Sequence, residues 1–171
     1  IRMIREVIGD AEIVVVFRRQ ADYAQALYQE HVKATRYHKS FLQFLNEFWF
    51  HFEYLRQVES WKRYFPRLKV LGFEQLVAGG EPAEDFARSL SVPISDLAPA
   101  RRVNTSWPSD VVILKRLVNR SSASQRELRN RIDRLLTCIP HNELAQFAGR
   151  SFFADANAMH AFQAQFERDN G

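Results

Sequence analysis

The chain has 171 residues, of which 46% are hydrophobic and 26% charged, with a formal net charge of +4. Such a chain suits a single globular domain with its own core, and the composition excludes long disordered tracts. No run approaches the roughly 20 apolar residues of a membrane-spanning helix. Arg and Lys are spread along the chain without a polybasic block, and no nucleic-acid motif is present. The charge therefore reads either as a mildly basic surface or as a positive cleft for a phosphorylated or sulfated ligand. Cys138 is the only cysteine, so an intrachain disulfide is excluded and a reducing, cytoplasmic setting is expected.

Taken in order, Ile1, Ile4 and Ile8 lie at helical spacing and Gly9-Asp10 is a natural stop. This opening has neither an initiator Met nor the apolar centre of a signal peptide. It reads as the tail of a helix, with further chain expected before Ile1. Ile13-Val-Val-Val-Phe17 is a short β-branched run of the kind buried on both faces of a parallel sheet. A helix from about Ala21 to Lys33 follows, with Ala24, Leu27, Tyr28 and His31 on one face. Residues from Phe41 to Phe65 are aromatic-rich and predict one or two helices ended by Pro66. One stripe holds Phe48, Phe52 and Leu55; another holds Tyr54, Val58, Trp61 and Phe65. The chain's fourteen Phe, five Tyr and three Trp point to a core dominated by aromatic packing.

Lys69–Phe73 is the second predicted strand, parallel to the first. Ala83 to Leu90 predicts a short helix that turns Phe86 and Leu90 inward. Ser91 to Trp107 is irregular, and Pro108 suits the first position of a helix reaching Asn119. Ser122-Ala-Ser-Gln125 has the spacing of a capping box. The helix after it should bury Leu128, Ile132, Leu135 and Leu136. Asp155 should open a last helix with Met159, Phe162 and Phe166 on its apolar face. Strands alternating with helices predict an α/β fold with a parallel sheet and flanking helices, a single domain over residues 1–171. Two strands are few for a sheet, so further strands are expected upstream, and an exposed edge would invite pairing with a second copy of the chain.

In open α/β sheets ligands bind beyond the C-terminal ends of the strands. Arg18 and Arg19 stand there, just before a helix whose first N–H groups favour anions. A guanidinium fork suits a phosphate. Equally, one arginine could pair with Asp22 and the other be solvated; the pattern leaves both readings open. His31, His38, His51, His141 and His160 form no metal-ligand spacing, so no metal site is expected. His31 reads as a core or rim histidine, and Cys138 as an inert buried thiol.

A buried strand, Arg18, Asp22 four residues on and then a helix resembles the 3′-phosphate motif of sulfotransferases that use 3′-phosphoadenosine 5′-phosphosulfate. The wording Arg18-Arg-Gln20 with Leu27-Tyr28 is similar to a bacterial branch of that family. Trp61-Lys-Arg-Tyr-Phe65, Gly72-Phe-Glu74-Gln-Leu76, Gly79-Gly80 with Asp85-Phe86, Arg102-Val-Asn104-Thr-Ser106, Leu114 to Asn119 and Phe162 to Asn170 continue the resemblance along nearly the whole chain. The motif's serine place is occupied by Ala26, which has no hydroxyl to offer a phosphate. Glu74 reads as a capping or salt-bridging carboxylate. Arg101 and Arg102 match the family's later basic loop by position alone, without its usual glycine.

The resemblance implies a P-loop-like sulfotransferase fold. It also implies transfer of a sulfuryl group from the phosphosulfate nucleotide to a hydroxyl or amine of an acceptor, such as a carbohydrate or small metabolite. Arg18, then Arg19, would hold the nucleotide's 3′-phosphate, and no metal is implied. The family's Gly/Ser/Thr-rich loop with its lysine is not found in these residues: Gly79-Gly80 is followed by Glu-Pro. The loop and the catalytic base are expected upstream of Ile1, and the chain by itself is expected to be inactive. Two rivals stand beside this reading. One is a non-catalytic binding module that keeps the fold; the other is a different P-loop transferase, such as a kinase, which would need G-x-x-x-x-G-K-[ST].

Overall fold

In the computed structural model, the β-branched run Ile13–Phe17 is strand β1 and Leu68–Gly72 is strand β2. The two pair in parallel, from Ile13 opposite Leu68 to Phe17 opposite Gly72. Branched side chains, already restricted at χ1, lose little on a pleated strand, which is why these short runs extend. The structure describes residues 1–93, 107–121, 124–139 and 151–167. Outside this small sheet the described chain is mostly helical: α1 (Arg2–Ile8), α2 (Gln20–Ala34), α3 (Phe41–Glu47), α4 (Tyr54–Lys62), α5 (Phe73–Ala78), α6 (Pro82–Ser89), α7 (Ser109–Val118), α8 (Gln125–Cys138) and α9 (Ala156–Ala164). None of the described helices is long and apolar enough to cross a membrane.

β2 begins and ends one residue before the predicted segment, because Gly72 caps a helix that Phe73 opens. The strands are also not buried on both faces. Val16 is 39% and Val70 49% exposed. Each strand of a two-stranded sheet has a neighbour on one side only, so its side chains keep an open flank.

The chain divides into two compact units: Ile1–Gln20 with Phe50–Val103 and Ala164–Gly171, and Ala21–Trp49 with Asn104–Gln163. The first holds the sheet. Its core contains Phe52, Phe65 and Phe166, with Tyr54 stacked on Phe17 at 4.0 Å between centroids. Leu55, placed in a core stripe by its spacing, is exposed, as is Phe86 on α6, where the small Ala87 is buried instead. A short amphipathic helix can turn only a narrow strip inward, and the neighbours of that strip stay wet.

In this unit Asp10 ties the end of α1 to the chain entering β2. Its carboxylate accepts from Arg5 at 2.9 Å and from Arg67 at 3.2 Å. The Arg5 hydrogen bond, aided by the charge of Arg67, holds the Asp10 carboxyl below its ordinary value of 3.8. A carboxyl lowered on folding adds stability that is complete above the unfolded value and lost as pH falls through the folded one. An NMR titration of Asp10 should therefore give a midpoint below 3.8, and Arg5→Ala should move it up. A midpoint unchanged by Arg5→Ala would show that the pair does not form in solution.

The second unit packs on Tyr28. Ala21, Ala24, Tyr28 and Val32 form the buried stripe of α2, with Leu27 and His31 half-buried beside it. Tyr28 meets Phe41, Phe44 and Phe152 edge-on at 5.1–5.3 Å, and its hydroxyl donates to the Lys39 carbonyl at 3.1 Å. α3 starts at Ser40, whose side chain accepts from Gln43 N–H while Gln43 accepts from Ser40 N–H, a complete capping box. The C-terminal turn of α2 is closed by two buried side chains of α7 and its cap. Lys115 donates to Val32 O at 3.3 Å and to the Asn119 side chain; Asn119 donates to Val32 O at 3.1 Å and Tyr37 O at 2.7 Å. An ammonium suits this place because a helix C-terminus carries partial negative charge.

α8 has a capping box at Ser124 and Glu127, whose carboxylate suits a helix N-terminus; Ser122 and the Gln125 side chain, where the sequence placed one, lie outside the described residues. α8 buries Leu128 and Ile132 but exposes Leu135; the side chain of Leu136 lies outside the described residues. Asp155 caps α9 as expected, accepting from Ala158 N–H at 2.8 Å, and Phe162 and Phe166 are buried while Met159 is half-buried.

Candidate site at the C-terminal end of the sheet

Phe17 and Gly72 are the last register pair of the sheet, so Arg18 and Phe73 leave it side by side. Phe17 is fixed by its stack on Tyr54, and the Tyr54 hydroxyl donates to the Arg18 carbonyl at 2.7 Å. The backbone under Arg18 is thus held by contacts that do not involve its side chain. The Arg18 guanidinium lies 5.3 Å from the Phe73 ring centroid, a cation–π distance. Among the described residues no carboxylate pairs with it.

Arg19 and Glu74 repeat this relation one residue further on. The Glu74 Oε1 accepts from Arg19 N–H at 3.0 Å and lies 3.9 Å from the Arg19 guanidinium. The Arg19 side chain is 69% exposed. Glu74 therefore acts as the salt-bridging carboxylate that its place after the strand suggested, and Arg19 pairs with it across 55 residues of sequence. The two arginines are not equivalent: Glu74 offsets one charge, and the other rests on an aromatic face.

The helix that follows presents fewer ready anion donors than the sequence suggests. In the second unit, Ala21 N–H, in the first turn of α2, donates to Gln163 Oε1 at 3.0 Å. An anion at the Ala21 amide has to displace that neutral side-chain amide. Asp22 lies in the first turn of α2 and Ala26 in the second; both are half-buried. Neither Gln163 nor Lys115 stood out in the sequence. A glutamine late in the chain carries no local signal that it will cap a helix made 142 residues earlier.

The other candidates separate cleanly. His31 contacts the Leu27 carbonyl through Nδ1 at 3.0 Å and lies edge-on to Phe48 at 4.5 Å, a rim histidine as expected. Cys138 is exposed, not buried, because it sits on the last turn of α8, off the face that buries Leu128 and Ile132. Among the described residues no group of three potential metal ligands converges. Arg101, Arg102 and His141 lie outside the described residues. Comparison of the chain with protein-family models, with curated proteins and with solved structures finds no match in any of the three.

Proposed function

We propose that the chain carries the nucleotide 3′-phosphate site of a sulfotransferase-type α/β domain of P-loop-like fold that uses 3′-phosphoadenosine 5′-phosphosulfate. The observation that carries this reading is Arg18: a backbone-anchored arginine at the C-terminal end of a parallel strand, its charge matched by no carboxylate among the described residues. Such a guanidinium can take a phosphate in a two-pronged, charge-assisted contact. Arg19 is the second ligand and exchanges Glu74 for the anion. When bound, the nucleotide supplies an activated sulfuryl group for an acceptor hydroxyl or amine; the work of these residues is to bind and orient its far phosphate. A non-catalytic binding module of the same fold is favoured by Ala26, whose methyl cannot donate, and by the engagement of Ala21 N–H with Gln163.

Calorimetry with adenosine 3′,5′-bisphosphate against adenosine 5′-monophosphate tests the reading. The bisphosphate should bind at least about tenfold more tightly, since one charge-assisted hydrogen bond contributes roughly 1.5–3 kcal/mol. Equal affinities remove the 3′-phosphate site. Binding of neither nucleotide leaves the module reading in its place.

A further inference from the structure

Helix α7 is turned inside out. Val112, Lys115 and the cap residue Asn119 share its buried face, so two of these three inward side chains are polar. The opposite face carries Ile113, Leu114 and Leu117, which are 38–52% exposed. A surface helix ordinarily has the reverse arrangement, with its apolar stripe on the core. The end of α2 accounts for the inward face, since Lys115 and Asn119 both donate to the Val32 carbonyl. The outward face stays open to water.

That face also has a charge at each end. With 3.6 residues per turn, Asp110, Ile113, Leu114, Leu117 and Arg120 fall within one sector of about 120°. Asp110 is half-buried in the first turn of α7. Arg120 is exposed just beyond the Asn119 cap, and no carboxylate among the described residues pairs with it. Read along the helix, the stripe is acid, then apolar, then base.

We propose that this face packs on the same face of a second copy of the chain, with the two α7 helices antiparallel about a two-fold axis. Turned end to end, the stripe is its own complement. Leu114 of each copy meets Leu117 of the other, and Asp110 of each meets Arg120 of the other. A parallel pair would instead set acid against acid and base against base. Helix dipoles also favour the antiparallel arrangement. A partner of uniform charge would meet its own sign at one end of the stripe. The contact is isologous, so it closes at two copies. Three apolar side chains per copy cover less than the roughly 800 Å² per partner of a standard interface, so the dimer should be weak, with a Kd on the order of 100 μM. The face shares no residue with the Arg18 site, and the two readings stand or fall separately.

Sedimentation equilibrium of the chain from about 10 μM to about 1 mM brackets that Kd. The mass should rise from one chain to two and stop there. Leu117→Lys should weaken association by about a hundredfold or more, because it brings a charge into the apolar centre. Arg120→Glu should weaken it roughly tenfold at low salt, since it puts a carboxylate opposite Asp110 at both ends; in a parallel pair it would only exchange one repulsion for another. Leu42→Lys, at a 69% exposed leucine of α3, is the control for unspecific apolar association and should leave the dimer intact. All three side chains are exposed, so an unchanged far-UV CD spectrum should show that each variant folds. A chain that stays monomeric throughout, a dimer that survives Leu117→Lys or Arg120→Glu, or an equal loss in Leu42→Lys would overturn the proposal.

Discussion

Arg18→Ala should lower the affinity for adenosine 3′,5′-bisphosphate by about ten- to a hundredfold, the effect of losing a charge-assisted contact to phosphate. The change should leave the fold intact, because Tyr54 holds the Arg18 carbonyl and not its side chain. Adenosine 5′-monophosphate should be affected much less, since the partner phosphate is gone. Arg18→Lys should recover only part of the loss, because an ammonium is a point charge without the planar fork. Arg19→Ala is the internal comparison: its guanidinium is exposed and already faces Glu74, so its loss should be the smaller. Ala26→Ser asks the converse question, and a hydroxyl at the motif's serine place should hold or improve affinity. Calorimetry on these variants decides. Equal losses at Arg18 and Arg19, or no dependence on the 3′-phosphate, would remove the assignment.

Phe44→Ala should cost about 3–5 kcal/mol of unfolding free energy, as large-to-small core changes do, against a total of roughly 5–15 kcal/mol for a domain. Phe44 is fully buried and stacks on Phe48 at 4.5 Å, with Tyr28, His31 and Tyr37 edge-on at 5.2–5.5 Å. Removing its ring leaves a void bordered by four rings, which cannot all reorient to fill it. Leu42, two residues away on α3, is 69% exposed, and Leu42→Ala should change stability by no more than about 0.5 kcal/mol. Urea unfolding measures both: the Phe44→Ala midpoint should fall sharply with little change in slope. A loss below about 1 kcal/mol would mean that the aromatic cluster is not the core of this unit.

Much of the local structure is legible in the residues. The β-branched run at Ile13–Phe17 and the strand ending at Gly72 could be read directly, and so could their parallel pairing, because strands separated by helical segments return in the same direction. Most helices follow from periodicity and from stops such as Gly9 and Pro66. Inwardness is less legible. Of the stripe Phe48, Phe52 and Leu55 that the spacing pointed to, Phe52 is buried, Phe48 half-buried and Leu55 exposed, while Phe41 and Phe44 are buried and Leu135 and Phe86 face solvent. A period of 3.6 residues defines a stripe only to within a neighbouring residue, and in an aromatic-rich segment several stripes satisfy it equally.

By itself the sequence determined where the strands and most helices form, and that two arginines follow a strand directly, because these depend on backbone preference and short-range spacing. Which arginine has a carboxylate beside it was decided by tertiary structure alone. Glu74 reaches Arg19 from 55 residues away, and the Phe73 ring under Arg18 comes from the next strand's end, brought there by the register of Phe17 with Gly72. The same holds for Gln163 at the start of α2 and Lys115 at its end. Each contact pairs groups that share no local signal, and only closure of the chain brings them within the 3 Å or so at which a hydrogen bond has its strength.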